Sequence, residues 1–176
     1  MTTEDIWYRM QRRVPPVVSE YFRGGADAEI TLRANVRAFQ QSFVNAEGAT
    51  RFEAVDTSTT VLDQRIQLPW YITPVGSLRT LYPKAEAVAA KVAGQFGTVM
   101  GLSTLSGTPM EEVAQASSNS CWFQLYLCGG RETALRGIAR AKKAGFTALV
   151  LTIDTSVSGQ RLVHARMKPL EAMRSW

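Results

Sequence analysis

The sequence predicts an α/β fold in which short parallel strands alternate with amphipathic helices. One basis is a set of four apolar runs spaced about 25 to 30 residues apart, as successive βα units are: residues 70–73, 98–102, 122–126 and 148–153. A second is that each run is continuously apolar, which is typical of parallel strands covered on both faces. A third is the helical periodicity of the segments between them.

Residues 1–58 predict a helical domain that precedes the strands. Thr3 is suited to cap a first helix, Pro16 to start a second and Gly24 to stop it. A third helix after these has its apolar residues at Ile30, Leu32, Val36 and Phe39.

Residues 59–68 are rich in β-branched side chains and predict a hairpin that turns near Asp63 and Gln64. Such a hairpin could cover one end of a larger sheet. Residues 69–160 then hold four βα units, and residues 161–176 form a basic tail without a further strand.

The predicted connecting helices have defined faces. Residues 83–96 place one set of apolar side chains inward: Ala85, Val88, Ala89, Val92 and Phe96. Residues 131–144 do the same with Leu135, Ile138 and Ala139. Thr108, followed by Pro109 and Glu111, predicts a capping box with proline at the first helical position.

The composition is that of an ordinary globular protein. The 176 residues carry a net charge of +5, and over half of this excess lies in residues 161–176, so we expect no nucleic-acid partner. Cys121 and Cys128 predict neither a disulfide framework nor a metal site. We expect a cytoplasmic protein without a transmembrane segment, because the sequence shows neither a secretion signal nor a membrane-spanning apolar run.

Polar side chains stand where the predicted strands end, and the carboxyl ends of parallel strands meet at one edge of a sheet. The candidates at these ends are Thr73, Pro74, Val75, Gly76, Ser103, Thr104, Gln124, Tyr126, Thr152 and Asp154, and all but Pro74, Val75 and Gly76 have polar side chains. An amide, several hydroxyls and a carboxylate at one rim suit a polar heteroaromatic ligand.

The chain resembles the FMN-dependent 2-hydroxy-acid oxidase and dehydrogenase family, which includes glycolate oxidase, lactate oxidase and mandelate dehydrogenase. The resemblance lies in the order of five strings: EYFRGGADAEITLRANVRAF, TTVLDQRIQLPWYITPVG, EEVA, WFQLY and ALVLTIDT. It implies a partial TIM (β/α)8 barrel with about four of the eight units. It also implies FMN as cofactor and the oxidation of a small 2-hydroxy acid to a 2-oxo acid.

The same resemblance implies roles for individual residues. Tyr21 and Arg161 would contact the substrate carboxylate, Tyr126 would lie near the substrate hydroxyl, and Asp154 would orient a catalytic histidine. The residues implied to contact the flavin are Pro74, Val75, Gly76, Ser103, Gln124 and Thr152. Without the resemblance, the two tyrosines are core or rim aromatics, Asp154 is a cap or turn residue and Arg161 is a solvated charge.

The chain departs from the family pattern at several positions. Ser156 replaces a proline, Gln160 replaces the first arginine of a pair, and Leu105 replaces an aromatic residue. The family's lysine, its histidine and arginine motif, and its phosphate-binding loops have no counterpart in these strings. His164 is the one histidine, and we interpret it as an exposed residue of the basic tail.

Two hypotheses of different classes follow. The first is a truncated or split FMN-dependent enzyme that pairs with a second copy or with a complementary C-terminal half-barrel chain. The alternative is a catalytically inactive half-barrel remnant that acts as a binding or interaction module, since open strand edges tend to pair. A third reading, the type 2 isopentenyl-diphosphate isomerase group, is less favoured because of the FQLY and LTIDT strings.

Overall fold

The computed structural model describes residues 1–45, 48–49, 51, 53–155, 157 and 159–162. The predicted tail with His164 therefore lies almost entirely outside the described residues, as does Ser156. The chain divides into two compact units, one formed by Met1–Glu53 and the segment that begins at Val157, the other by Ala54–Ser156.

The elements follow one another as three helices, a hairpin, and a run in which helices and strands alternate. In chain order they are α1 (Thr3–Gln11), α2 (Pro16–Arg23), α3 (Ile30–Gln40), β1 (Thr59–Val61), β2 (Gln64–Ile66), a 3-10 turn (Leu78–Thr80), α4 (Ala85–Gln95), β3 (Met100–Leu102), α5 (Met110–Ala116), β4 (Cys121–Leu125), α6 (Gly130–Lys143) and β5 (Ala148–Leu151).

The first unit contains the three helices predicted for it. Thr2, rather than Thr3, caps α1 through a capping box, in which Thr2 Oγ1 accepts from the Asp5 N–H at 3.2 Å and Asp5 Oδ2 accepts from the Thr2 N–H at 2.7 Å. Helix α2 begins at Pro16 and ends before Gly24, as predicted, and it buries Val17 and Val18. Helix α3 has no buried residue, so the apolar stripe predicted for it is exposed.

The hairpin pairs β1 with β2 in antiparallel register, from Thr59 opposite Ile66 to Val61 opposite Gln64. Its turn consists of Leu62 and Asp63, one residue earlier than predicted. Both have positive φ angles, 50° and 59°, as a type I′ turn requires. This turn matches the twist of the two strands although neither residue is the asparagine or glycine that the conformation favours.

The second unit has the predicted parallel sheet, with strand order β3-β4-β5. Met100 lies opposite Cys121, and Trp122 lies opposite Ala148. The first predicted strand, residues 70–73, contributes a single bridge from Ile72 to β3. Proline rings at Pro69 and Pro74 flank this bridge and provide no N–H for a longer ladder. The sheet described therefore has three strands, not four.

The inward faces of α4 and α6 differ from those predicted. Helix α4 buries Glu86, Ala87, Ala90 and Ala93, whereas Val88, Val92 and Phe96 are exposed. Because alanine side chains are small, helix α4 packs close to the core around Met100 and Val113. Helix α6 buries Ala134 and Ala141, with Ile138 packed beside them, whereas Leu135 and Ala139 are exposed.

The hairpin lies against the amino-terminal ends of the parallel strands. Gln64 Nε2 donates to Asn119 Oδ1 at 3.1 Å, and Gln64 Oε1 accepts from the Trp122 Nε1–H at 3.4 Å and from Thr147 Oγ1 at 3.3 Å. Ile66 is buried against Val99 and Trp122. One glutamine thus ties the hairpin to the starts of β4 and β5, and the carboxyl ends of these strands lie at the other end of the sheet. Among the described residues, no helix is long and apolar enough to cross a membrane.

Candidate functional site

Gln124 is the centre of the polar rim at the carboxyl ends of the strands. Its side chain is buried on β4, yet its amide is hydrogen-bonded to both neighbouring strands. Oε1 accepts from Ser103 Oγ and from the Thr104 N–H, both at 3.1 Å, and Nε2 donates to Thr152 Oγ1 at 2.7 Å. Because two donors share Oε1, the orientation of the amide is fixed.

The connections after β3 and β4 are joined through Thr104. Its hydroxyl donates to the Gln124 carbonyl oxygen at 2.6 Å and accepts from the Tyr126 N–H at 3.1 Å. The backbone that carries Tyr126 is therefore held by the same network, and its ring is partly buried. Thr104 was a rim candidate with no role implied by the resemblance, although it contributes two contacts to the network.

Donor capacity remains on this network. Gln124 Nε2 carries two hydrogens, and among the described residues only Thr152 Oγ1 accepts one. Thr152 Oγ1, having accepted that bond, keeps its own proton to donate. Asp154 follows a few residues later, is exposed and makes no hydrogen bond to a described side chain. The structure thus unites Ser103, Gln124 and Thr152, but not Asp154, in one network.

The segment that contains Pro74, Val75 and Gly76 packs closely beside this network. A Cβ atom at Gly101 would lie 2.9 Å from Pro74 Cδ, so glycine at this point of β3 permits the approach. A Cβ atom at Gly76 would lie 3.2 Å from Leu105 Cβ, and the next N–H along the chain donates to the Leu105 carbonyl oxygen at 2.9 Å. The predicted flavin-contact residues of the second unit therefore lie on neighbouring segments.

Tyr21 and Arg161 contact each other within the first unit. The guanidinium carbon of Arg161 lies 4.6 Å from the centroid of the Tyr21 ring, which is a cation–π geometry. Arg161 Nη1 also donates to the carbonyl oxygens of Tyr21 and, at 3.1 Å, of Gly24. The two residues predicted to bind one substrate carboxylate are thus neighbours, and their roles remain predictions.

The sequence interpretation overlooked Glu86, a fully buried carboxylate on α4. Burial raises its pKa, but hydrogen bonds from the Gly107 N–H at 3.0 Å and from Thr108 Oγ1 at 2.8 Å, together with those from the backbone of Glu86 and Arg79, outweigh this, and the pKa is lowered overall. The capping box predicted at Thr108 is therefore wrong, because that hydroxyl bonds Glu86 instead. The feature of the sequence that could have indicated Glu86 is a single acidic residue within the otherwise apolar string AEAVAA.

The remaining ionisable groups with shifted pKa values lie outside the rim network. Glu111 forms a two-point ion pair with Arg140, both contacts at 2.7 Å, which links α5 to α6. Cys121 is buried, and burial raises the pKa of its thiol. Across the described ranges, no cluster of His, Cys, Asp and Glu is suited to hold a metal ion.

The rim therefore defines an α/β protein whose parallel strands present hydroxyl and amide groups at their carboxyl ends. Such donors and acceptors complement a flat polar ring edge with alternating carbonyl and N–H groups. The donor set fits the ring of a flavin.

Comparison with known proteins assigns the chain to a family. The family described as FMN-dependent dehydrogenase matches residues 10–174. An L-lactate dehydrogenase of Acinetobacter baumannii is 36% identical over 169 residues, which is 94% of this chain and 44% of the relative. One from Pseudomonas paraeruginosa is 36% identical over 151 residues, 86% of this chain and 40% of the relative.

Solved structures agree with this assignment. A soluble mutant of the membrane-associated (S)-mandelate dehydrogenase from Pseudomonas putida superimposes with a TM-score of 0.87 and 32% identity, over 94% of this chain and 47% of that one. A mandelate oxidase superimposes with a TM-score of 0.88 and 29% identity, over 94% and 48%. Since one relative is membrane-associated, the cytoplasmic location stays a prediction.

The chain belongs to the FMN-dependent dehydrogenase family, as the five strings indicated. The predicted cofactor is therefore the one that the family uses, and a related mandelate oxidase structure contains an FMN adduct. The chain spans less than half the length of the L-lactate dehydrogenases that it matches.

Proposed function

We propose that this chain is the N-terminal half of an FMN-dependent enzyme that oxidises a 2-hydroxy acid to a 2-oxo acid. In this proposal the second unit is part of a (β/α)8 barrel, and the parallel sheet of β3, β4 and β5 belongs to the first half of that barrel. The observation that carries the proposal is the Gln124 network, because it joins the ends of three successive strands and still has hydrogens to donate.

The flavin ring would lie on this rim. Ser103, Gln124 and Thr152 would hold its polar edge, and the segment of Pro74, Val75 and Gly76 would lie along its plane. When bound, FMN would supply the redox chemistry by accepting a hydride, that is two electrons and one proton, from the substrate carbon. The protein supplies the hydrogen bonds that fix the ring.

The substrate would be held by the remaining predicted residues. Arg161 offers a planar guanidinium and Tyr21 a hydroxyl for the carboxylate, and the Tyr126 hydroxyl would contact the hydroxyl of the substrate. Asp154, which is exposed, would orient a histidine contributed by another part of the enzyme and stabilise the imidazolium that forms when this histidine accepts a proton. That histidine would accept the substrate's hydroxyl proton.

We further propose that a second polypeptide completes the barrel. Exposed apolar side chains support this: Val88 and Val92 on α4, Phe96 directly after α4, and Leu149, Leu151 and Ile153 on and after β5. The other edge of β5 pairs with no strand among the described residues. The partner would be a chain equivalent to the rest of the relatives' length, or a second copy of this chain.

A ligand titration tests the flavin site. The purified chain is titrated with riboflavin and with FMN, and quenching of flavin fluorescence is followed. Because the rim contacts the ring and the phosphate loops belong to the other half of the family pattern, we expect the two Kd values to agree within about twofold. Absence of riboflavin binding, or a strong preference for FMN, contradicts the proposal for this chain.

A complementation experiment tests the enzyme. The chain is co-expressed with the remaining C-terminal part of the A. baumannii L-lactate dehydrogenase, and that part alone is the control. We expect a yellow complex whose visible absorption bleaches with L-lactate. The alternative function, an inactive interaction module, predicts a complex without bound flavin.

A further inference from the structure

Glu86 stands apart from the residues assigned above because it is charged, buried and remote in sequence from the rim. Its side chain has 0% exposure, and none of the ion pairs within the described residues includes it. A buried carboxylate without a cation is costly unless hydrogen bonds replace its water. The hydrogen-bond partners of Glu86 must therefore compensate for the burial of its charge.

Both carboxylate oxygens bond one short segment between β3 and α5. Oε1 accepts from the Gly107 N–H at 3.0 Å, and Oε2 accepts from Thr108 Oγ1 at 2.8 Å. Gly107 lies against Arg79, where a Cβ atom would come within 2.5 Å of the Arg79 side chain. The Gly107–Thr108 end of the connection is thus fixed from α4.

A continuous set of hydrogen bonds joins this end to the rim. Ser106 Oγ accepts from the Thr108 N–H at 3.1 Å and donates to the Thr108 carbonyl oxygen at 2.8 Å. The Ser106 N–H donates to the Ser103 carbonyl oxygen at 3.1 Å, and Ser103 Oγ accepts from the Leu105 N–H at 3.1 Å. Ser103 Oγ in turn donates to Gln124 Oε1.

We propose that Glu86 is a positioning residue for the rim. Its carboxylate holds Gly107 and Thr108, and through them it sets where Ser103 and Thr104 present their hydrogens to Gln124. The expected effect of Glu86 on flavin affinity rests on the proposed function, whereas its effect on the position of Gln124 does not.

Amide NMR of the flavin-free 176-residue chain tests the proposal directly. The resonances of the Ser103 and Thr104 amides and of the Gln124 side-chain amide are compared between the wild type and Glu86→Ala. We expect these three to move, and riboflavin affinity to fall by about tenfold. Glu86→Gln should restore both, because its amide can accept from Gly107 and donate to the Thr108 hydroxyl.

Val113→Ala is the matched control for lost stability. Val113 is fully buried in the core beside α4, and its aliphatic side chain forms no hydrogen bond with the rim network. We expect Val113→Ala to lower the melting temperature while the Gln124 side-chain resonances stay in place. Equal movement of these resonances in Val113→Ala and Glu86→Ala would show a general structural role and overturn the proposal.

Thr108→Val keeps the test decisive if Glu86→Ala does not fold. It removes one donor to the carboxylate at nearly constant shape, and we expect it to shift the same three resonances in part. Unmoved resonances in a folded Glu86→Ala, or in Thr108→Val where Glu86→Ala does not fold, refute the positioning role. If the wild type binds no riboflavin, the proposed function fails, but the resonances still decide the role of Glu86.

Discussion

Replacing Gln124 by leucine tests how much the rim network contributes to stability. Leucine is similar in size to glutamine, so the packing on β4 is retained while three side-chain hydrogen bonds are lost. The hydroxyls of Ser103 and Thr152 can rotate to other partners, but the Thr104 N–H cannot. An unpaired buried donor costs about 1–3 kcal/mol.

The expected loss is therefore about 2 kcal/mol in the free energy of unfolding. For a chain of this size that corresponds to a melting temperature lower by about 4–8 °C. Urea denaturation followed by tryptophan fluorescence measures the first quantity, and differential scanning calorimetry measures the second. Riboflavin affinity should fall by at least about tenfold in the same variant.

Gln95→Leu provides the matched control, because Gln95 is an exposed amide near the end of α4. It should change neither the stability nor the affinity. The reasoning is refuted if Gln124→Leu unfolds at the same urea concentration as the wild type and binds riboflavin equally well.

Three further predictions concern other parts of the chain. Thr2→Ala removes the capping box of α1 and should cost about 1 kcal/mol, seen as faster hydrogen exchange of the Asp5 amide; unchanged exchange would count against the cap. The double variant Leu62→Asn, Asp63→Gly suits the positive φ angles of the turn and should raise the free energy of unfolding in urea by up to about 1 kcal/mol; a loss would contradict the turn type. Hydrogen bonds from Arg140 lower the pKa of Glu111 from 4.5 to about 2, so the pair stabilises the fold above about pH 4.5 and ceases to do so as the pH falls through 2. The urea midpoint of Arg140→Met should therefore lie below that of the wild type at about pH 6 and match it near pH 2; a difference that persists at low pH would point to packing instead.

The parallel strands were predictable because continuous apolar runs at βα spacing have few other interpretations. The helix faces were harder to predict. In α4 the large apolar residues Val88 and Val92 are exposed, whereas the small residues Ala90 and Ala93 are buried. Periodicity shows that a helix has an apolar face, but the distance to the neighbouring core decides whether small or large side chains fit there.

The rim was predictable for a topological reason. Ser103, Gln124 and Thr152 follow or end successive strands of one parallel sheet, so the same edge must bring them together. Glu86 was not predictable in this way, because its partners Gly107 and Thr108 lie more than twenty residues away on a connection. No local pattern specifies that a threonine hydroxyl will bond a distant carboxylate rather than cap its own helix.

The single bridge at Ile72 has a consequence for how copies of this chain can associate. Pro69 and Pro74 end that margin on both sides, so only the short stretch of residues 70–73 between them can pair with another strand. The margin formed by β5 carries no such block within the described residues. In a completed barrel both margins of the sheet would pair, and the β5 margin would provide most of the backbone hydrogen bonds between the two halves.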